Sequence, residues 1–268
     1  EVLHNVALRV EDTDSPERLK VSGRGELHLG ILIETMRREG YELAVAKPQV
    51  INKMIDGKKC EPYESLIADI EEQHQGVIME ALGERKADLV NMEADGSGRV
   101  RLEYKISTRG LMGFQTEFMM STSGTGLLHH VFECYAPVKP GSLSKRLRGM
   151  LIANSKGKAT AFALFNLQGR GQMIIAPQTE VYEGMIIGIN SRIDDLVVNP
   201  TKEKQLTNIR AAGSDENIIL TPPLQMSLER ALEFIEDDEL VEITPTKMRL
   251  RKKKLSSLDR KRSNRDNS

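Results

Sequence analysis

The sequence predicts an α+β multidomain protein, with partial and complete ferredoxin-like domains followed by a mainly β C-terminal domain with one helix. Three observations favour this class. Alternating, strand-like segments are interspersed with amphipathic segments of helical period. Residues 48–136 have the element order βαββαβ, which is typical of a ferredoxin-like domain. In residues 137–250, short strands separated by glycines predict a small β-barrel or sandwich.

Residues 1–47 are predicted to form the partial domain. After an opening with the pattern of a helix end running into a strand (1–10), the predicted elements are a strand over 18–21, a helix over 26–38 ended by Gly40, and a strand over 41–46. A strand-helix-strand piece of about 47 residues buries too little surface to be stable alone. The chain is therefore expected to be a fragment whose N-terminal part is missing.

The joint before the first helix superficially resembles a phosphate-binding loop. Gly23 and Gly25 precede a helix, and the free N–H groups and dipole of a helix N-terminus suit an anion. The dinucleotide motif, however, needs a third glycine at position 28, which is His28. Glu26 in the first helical turn would also repel a phosphate. The joint is therefore predicted to be a structural turn.

Residues 48–136 are predicted to form the complete ferredoxin-like domain. A turn is expected at Asp56 and Gly57, and another at 94–98. The predicted strands cover 64–71, 89–92, 100–106 and 126–135, and the predicted helices cover 76–86 and 111–120. This order predicts an antiparallel sheet with two helices on one face.

Residues 137–250 are predicted to form the β-rich C-terminal domain. The predicted strands cover 150–153, 159–165, 173–176, 185–190, 218–220 and 241–244. One helix is expected after a cap at Ser227, with Leu228, Leu232 and Ile235 directed inward. Residues 191–214 are polar and irregular. A long loop on a compact β domain is more often functional than idle.

Composition excludes several classes of function. The two cysteines lie far apart without metal-like spacing, which argues against a disulfide framework or a zinc ribbon. Tryptophan is absent and aromatic residues are scarce, which argues against a stacking platform for single-stranded nucleic acid. The sequence has no G-x-x-x-x-G-K-[ST] motif for a nucleotide triphosphate. With neither a long apolar run nor a signal-peptide pattern, we expect a cytoplasmic protein that does not bind membranes.

The charge is distributed unevenly along the chain. Residues 245–268 contain ten Lys or Arg and two Asp, so this segment carries +8 and the rest −9 of a net charge of −1. An acidic body with a basic tail, which we place at 251–268, is typical of proteins that dock on nucleic acid. The alternative is a solvated tail that only improves solubility.

The candidate RNA-binding residues are cations and polar side chains. Arginine offers a planar fork to phosphate, lysine offers a mobile charge, and an asparagine amide can bond a base edge or a 2′-hydroxyl. The candidates in the long loop are Arg192, Lys202, Lys204, Asn208 and Arg210, and those in the tail are Lys252, Lys253 and Lys254. A solvated loop without a role is the alternative.

Three further residues suggest either a metal site or RNA contacts. Strand alternation would place Glu72 and His74 on one face and Glu71 on the other, so only two ligands would converge, too few for a zinc site. His74 is more simply predicted to cap the following helix or to contact RNA. A metal-assisted hydrolase centred on Glu72 and His74 remains the alternative of a different class.

Arg109 either anchors the backbone or faces RNA, and the sequence leaves both roles open.

Several motifs resemble the translational GTPases related to elongation factor G. The segments at 23–29, 37–40 and 47–50 resemble the second half of their third domain, and those at 61–64, 71–76 and 83–86 resemble their fifth domain. The segments at 107–114 and 122–126, with later ones at 157–159, 180–184, 204–208, 231–235 and 241–245, resemble the TypA/BipA branch. An elongation factor 4-like protein is the nearest alternative.

The resemblance implies a function for this chain. The intact protein would be a GTPase that acts in stress and cold adaptation and in large-subunit assembly. This chain would be its ribosome-docking part, contacting large-subunit rRNA and A-site tRNA, and we expect it to be a monomer. GTP and Mg²⁺ would bind the missing GTPase domain, so no catalytic residue, cofactor or metal is expected here. The loop at 191–210 would reach toward the tRNA acceptor arm.

Overall fold

The structure is a computed structural model that describes residues 6–141, 146, 148–203 and 219–266. It consists of two compact units. We call Pro48–Arg146 the ferredoxin-like unit. The residues before and after this segment together form the other unit, which we call the seven-stranded unit.

The elements are numbered in chain order. The chain begins with β1 (Arg9–Asp12), β2 (Leu19–Ser22), α1 (Glu26–Arg38) and β3 (Leu43–Ala46). The ferredoxin-like unit contains β4 (Lys53–Ile55), β5 (Lys58–Glu71), α2 (Gln75–Glu84), β6 (Asp88–Ala94), β7 (Arg99–Ser107), α3 (Thr108–Leu111), α4 (Phe114–Ser121) and β8 (Leu127–Pro137). The remaining elements are β9 (Met150–Ala153), β10 (Gly157–Lys158), α5 (Ala161–Gln168), β11 (Gly171–Met173), β12 (Glu180–Val181), β13 (Met185–Asn190), β14 (Leu196–Val198), α6 (Leu228–Phe234), β15 (Glu239–Ile243), β16 (Met248–Lys252) and α7 (Ser257–Asp266).

The ferredoxin-like unit has the predicted order βαββαβ. The long strand β5 pairs antiparallel with β7 and β8, and β6 pairs with the other edge of β7. Alternate residues of β5 and β7, such as Leu66 and Leu102, are buried with the apolar side chains of α2 and α4. The hairpin β4–β5 turns at Asp56 and Gly57, both with positive φ, as predicted. The predicted helix over 111–120 is interrupted at Gly113, where φ is +73°.

The seven-stranded unit is a mixed sheet in the order β14-β9-β13-β16-β15-β3, with β11 pairing β13. The strand β3, from the segment predicted to be a partial domain, forms the edge of this sheet through antiparallel pairing with β15. The helix α1 of the same segment packs against α6. The assignment of residues 1–47 to half of a separate domain stays a prediction.

Both faces of this sheet are covered, and the run Met150–Ala153 shows why. All four residues of β9 are buried. Met150 and Ile152 pack in a core with side chains of α1 and α6, whereas Leu151 and Ala153 pack in a second core with side chains of α5. An uninterrupted apolar strand is the pattern of a central strand with both faces buried. The predicted barrel or sandwich is therefore wrong in detail, although the α+β class is confirmed.

The predicted strand over 159–165 is a helix, α5. Thr160 caps it by accepting a hydrogen bond from Ala163 N (3.1 Å), and Ala163, Leu164 and Leu167 are its buried residues. A short apolar run does not by itself distinguish a strand from a buried helix. The count of one helix in residues 137–250 is also wrong, because the described residues of this segment form α5 and α6.

Two further predictions are corrected at the end of the chain and in the long loop. The predicted loop 191–214 contains β14, which pairs parallel with β9. The predicted basic tail begins inside β16 and continues into α7.

Of the predicted strand 218–220, Ile218 lies outside the described residues and the other two residues are not in a strand. The cap at Ser227 is confirmed, since its side chain accepts a hydrogen bond from Arg230 N. The described helices include none long and apolar enough to cross a membrane.

Candidate nucleic-acid interface

The described part of the predicted long loop is held at the N-terminus of α5 through residues 199–202. The Thr160 hydroxyl donates to Lys202 O (2.6 Å), while Thr160 N donates to Pro200 O (3.0 Å). Asn199 reinforces this end because its Oδ1 accepts hydrogen bonds from Thr201 N (2.9 Å) and Ser155 Oγ (3.2 Å). Residues 199–202, which directly precede the part of the loop outside the described residues, are therefore fixed to the start of the helix.

The first described residues after 218 are held at the other end of α5. Gln168 Nε2 donates to Ile219 O (3.2 Å), and Gln168 Oε1 accepts from Thr221 N (3.1 Å). The two described ends that flank residues 204–218 are thus held at opposite termini of one helix. An eight-residue helix is about 12 Å long, so α5 sets the separation at which the loop starts and ends.

Removal of the Thr160 hydroxyl should weaken this arrangement. Thr160→Ala deletes the cap of α5 and the bond to Lys202 O, and we expect the free energy of unfolding to fall by about 1–2 kcal/mol. Urea unfolding followed by circular dichroism measures the change. Thr160→Ser keeps the hydroxyl and should lose much less. Equal losses in the two variants would contradict the capping role.

The predicted loop cations are available where they are described. Arg192 and Lys202 are exposed, and neither forms an ion pair with a described residue. Lys204, Asn208 and Arg210 lie outside the described residues. Two exposed lysines beside the cap of α5, Lys156 and Lys158, were missed by the sequence prediction. The signal that could have found them is the Lys-Gly-Lys triplet that ends two residues before the capping Thr160.

Lys252, predicted to bind RNA, is instead buried. Its side chain is 4% exposed, and its ammonium lies 2.7 Å from Asp195, 2.9 Å from Asp238 and 2.9 Å from Glu239. Burial alone would lower the pKa of Lys252, but the charge of Glu239 and the hydrogen bonds to the carboxylates outweigh burial and raise the pKa above its ordinary value. The charge is neutralised inside the protein, so the prediction that Lys252 contacts RNA is wrong.

The other two tail lysines remain at the surface. Lys253 is exposed, and its ammonium donates to Asp237 O. Lys254 is exposed, and its carbonyl accepts a hydrogen bond from Arg260 (3.0 Å). The helix α7 that follows presents further exposed cations, including Lys261. An RNA contact by Lys253 and Lys254 therefore stays a prediction.

Arg109 makes a two-pronged ion pair within the ferredoxin-like unit. Its Nε lies 2.9 Å from Glu61 Oε2 and its Nη2 lies 3.2 Å from Glu61 Oε1. Glu61 is 1% exposed and also accepts a hydrogen bond from Lys139 N (3.3 Å). Of the two roles left open by the sequence, this geometry supports anchoring. An RNA contact by Arg109 stays a prediction.

The segment around His74 differs from the predicted strand. The strand β5 ends at Glu71, and Glu72–His74 form a 3₁₀ turn, so the expected alternation of these side chains does not apply. His74 occupies the N-cap position of α2, but its side chain makes no capping hydrogen bond. The described part of the chain contains no group of three or more His, Cys, Asp or Glu side chains placed to hold a metal ion. The geometry therefore gives the hydrolase alternative no support.

Glu64 forms a polar cluster with side chains from β8 and α3. His130 Nδ1 lies 2.5 Å from Glu64 Oε2, and the Thr108 hydroxyl donates to Glu64 Oε1 (2.7 Å). The hydrogen bond with His130 holds the pKa of the Glu64 carboxyl below its ordinary value, against the opposing effect of burial. These contacts tie the edge strand β8 to the start of α3.

The glycine joint before α1 is filled by neighbouring side chains. His28 Nδ1 accepts a hydrogen bond from Arg24 N (3.3 Å), and a Cβ on Gly23 would lie 2.8 Å from Leu29. This arrangement agrees with a structural turn.

Two segments of the chain match models of known protein families. Residues 58–146 match the family model described as the elongation factor G C-terminus, so the ferredoxin-like unit has the fold of translation-factor C-terminal domains. Residues 148–257 match the TypA/BipA C-terminal domain. This match confirms the resemblance to TypA/BipA proteins seen in the sequence.

The similar curated proteins carry the name large ribosomal subunit assembly factor BipA. The chain is 60% identical to those of Salmonella typhimurium and Escherichia coli strain K12, and 59% identical to that of Haemophilus influenzae. The alignments cover 99% of this chain but only 44%, 44% and 43% of these relatives. The chain thus spans less than half the length of the relatives it matches.

Proposed function

We propose that this chain is the ribosome-docking part of a longer TypA/BipA translational GTPase that acts in large-subunit assembly and in stress and cold adaptation. The role in large-subunit assembly is supported by the name of its relatives, large ribosomal subunit assembly factor. The match to the elongation factor G C-terminus supports action on the ribosome. We assign GTP and Mg²⁺ binding, and GTP hydrolysis, to residues other than these, because this sequence has no phosphate-loop motif.

The observation that carries this proposal is that the described residues on both sides of 204–218 are hydrogen-bonded to the two ends of α5. Lys202 is exposed without an ion-pair partner among the described residues, next to a backbone fixed by Thr160. A fixed stem reduces the entropy lost when a loop binds its partner. The loop cations supply the charge that phosphates of large-subunit rRNA and A-site tRNA require. We propose that the protein acts in the cytoplasm as a monomer.

Alanine at Lys202, Lys204 and Arg210 together should weaken ribosome binding. The loss of three phosphate-binding charges should reduce affinity about tenfold to hundredfold at moderate salt, and reduce the dependence of log affinity on log salt by about two to three. Co-sedimentation of the purified chain with ribosomes over a salt series measures both quantities.

A matched control removes the same charges elsewhere. Arg24, Lys58 and Lys59 are exposed and lie away from the loop in sequence, so Arg24→Ala/Lys58→Ala/Lys59→Ala should bind nearly as well as the unchanged chain. If the loop variant bound ribosomes like this control, the assignment of the loop would be wrong.

A further inference from the structure

A groove opens in the seven-stranded unit where two neighbours of β13 diverge. One edge of β13 pairs with β16 through Met185 and Ile186. The same edge pairs with β11 and its continuation, where Ile174 N donates to Ile187 O (2.9 Å). Met248 and Arg249, at the start of β16, pair only with β15 among the described strands. The fork between residues 174–180 and β16 leaves an open groove of about 690 Å³.

The groove has an apolar floor and a polar, mainly basic rim. Ile174, Met226 and Met248 contribute apolar lining, and Gln178 and Gln225 contribute amide groups. The cations that line it are Lys158, Lys247 and Arg249, and the single lining carboxylate is Glu180. The described lining therefore carries a net charge of about +2, in contrast to a chain that is close to neutral.

The three cations form no ion pair with described residues, although Glu180 lies opposite Lys158 in the β10–β12 pair. Arg249 lies opposite Glu242 across the β15–β16 pair, but that carboxylate already binds Arg251 Nε (2.5 Å) and the Tyr182 hydroxyl. Burial and the hydrogen bond to Glu242 raise the pKa of Tyr182, so its hydroxyl keeps its proton at neutral pH. Lys158 and Lys247 form no ion pair with any residue that the structure describes.

We propose that this groove binds a single-stranded RNA segment, with its phosphates at Lys158, Lys247 and Arg249 and its bases against the apolar floor. This inference rests on the proposed function and extends it to a second RNA contact outside the long loop. A positively charged groove that follows the backbone is one part of how proteins bind single strands. The described lining contains no aromatic side chain for stacking, so the bases would pack on its aliphatic side chains instead. The two glutamine amides can donate and accept hydrogen bonds at base edges. Because the groove is open rather than enclosed, it fits a strand better than a free nucleotide.

The test uses the full chain and a short fluorescent single-stranded RNA oligonucleotide of mixed sequence. In fluorescence anisotropy, Lys158→Gln/Lys247→Gln/Arg249→Gln should lower the affinity about tenfold or more and reduce the salt dependence of log affinity by about two. The matched control, Arg24→Gln/Lys58→Gln/Lys59→Gln, removes the same charges from exposed positions outside the groove. Circular dichroism confirms that both variants are folded.

The possible outcomes separate the groove from the loop. Equal RNA affinity in the groove variant and the control would overturn the groove assignment, and so would displacement of the RNA by adenosine monophosphate at similar concentrations. If groove substitution weakens RNA binding while the Met226→Ala variant also lowers affinity at unchanged salt dependence, the phosphate and base contacts are both supported. Failure of the unchanged chain to co-sediment with ribosomes would instead contradict the proposed function, whatever the oligonucleotide shows.

Discussion

Replacement of Lys252 by alanine is expected to lower the free energy of unfolding of the seven-stranded unit by about 3–5 kcal/mol, because it leaves the buried Glu239 carboxylate without its counter-charge. Glu239 is fully buried, and Asp195 and Asp238 also approach the Lys252 ammonium. The loss should therefore come from the remaining charges rather than from the deleted side-chain volume. Urea unfolding of the purified chain, followed by circular dichroism, measures it.

The neighbouring residue gives the control. Lys253 is exposed and its ammonium contacts only a backbone carbonyl among described residues, so Lys253→Ala should change stability by less than about 0.5 kcal/mol. Similar losses in the two variants would contradict the buried cluster.

The stability difference between the unchanged chain and Lys252→Ala should depend on pH in a defined way. The raised pKa of Lys252 means that its stabilising contribution is fully present below the unfolded-state pKa of about 10.4, and is lost only as pH rises through the higher folded-state value. The stability difference between the unchanged chain and Lys252→Ala should therefore persist at mildly alkaline pH.

Local signals in the sequence predicted those elements whose ends are marked by their own residues. The helix α1 has the predicted bounds because Glu26 lies in its first turn and Gly40 adopts a positive φ just after its end. The apolar run of α5 has no comparable polar pattern, so its period was misinterpreted. Its helical form depends on the Thr160 cap and on burial against the sheet.

Pairing between distant segments was beyond the reach of local patterns. The sequence indicated a strand at β3 and another at β15, but nothing in either segment shows that Val45 pairs with Val241. The groove depends on the same kind of information, because it exists only where β13 changes partner from β11 to β16. Lys247 and Arg249 were visible in the sequence only as part of the basic segment 245–268, and Lys158 only as part of a Lys-Gly-Lys triplet.

Charge alone likewise did not distinguish structural cations from binding cations. Lys252 and Lys253 are adjacent and identical in type, yet one is buried among carboxylates and the other is exposed. The carboxylate of Asp195 that helps to neutralise Lys252 comes from the segment predicted to be a loop. Sequence reasoning therefore identified a basic region correctly, but the assignment of each cation required the tertiary structure.

Replacement of Arg109 by alanine is expected to lower the free energy of unfolding of the ferredoxin-like unit by about 2–4 kcal/mol. Glu61 would remain buried with only Lys139 N as a described hydrogen-bond partner. The expected loss is smaller than at Lys252 because the Arg109 side chain is 35% exposed and solvent screens the pair. Urea unfolding again measures the change.

A double-mutant cycle separates anchoring from RNA contact at Arg109. Arg109→Ala combined with Glu61→Gln removes both charges, so it should recover part of the stability lost in Arg109→Ala, whereas Arg109→Lys keeps the charge but loses the two-pronged geometry. If Arg109 anchors Glu61, Arg109→Ala should lose the most stability, and the double variant and Arg109→Lys should each lose less. If Arg109→Ala instead left stability unchanged and weakened ribosome binding with a smaller salt dependence, the residue would act on RNA and the anchoring role would be wrong.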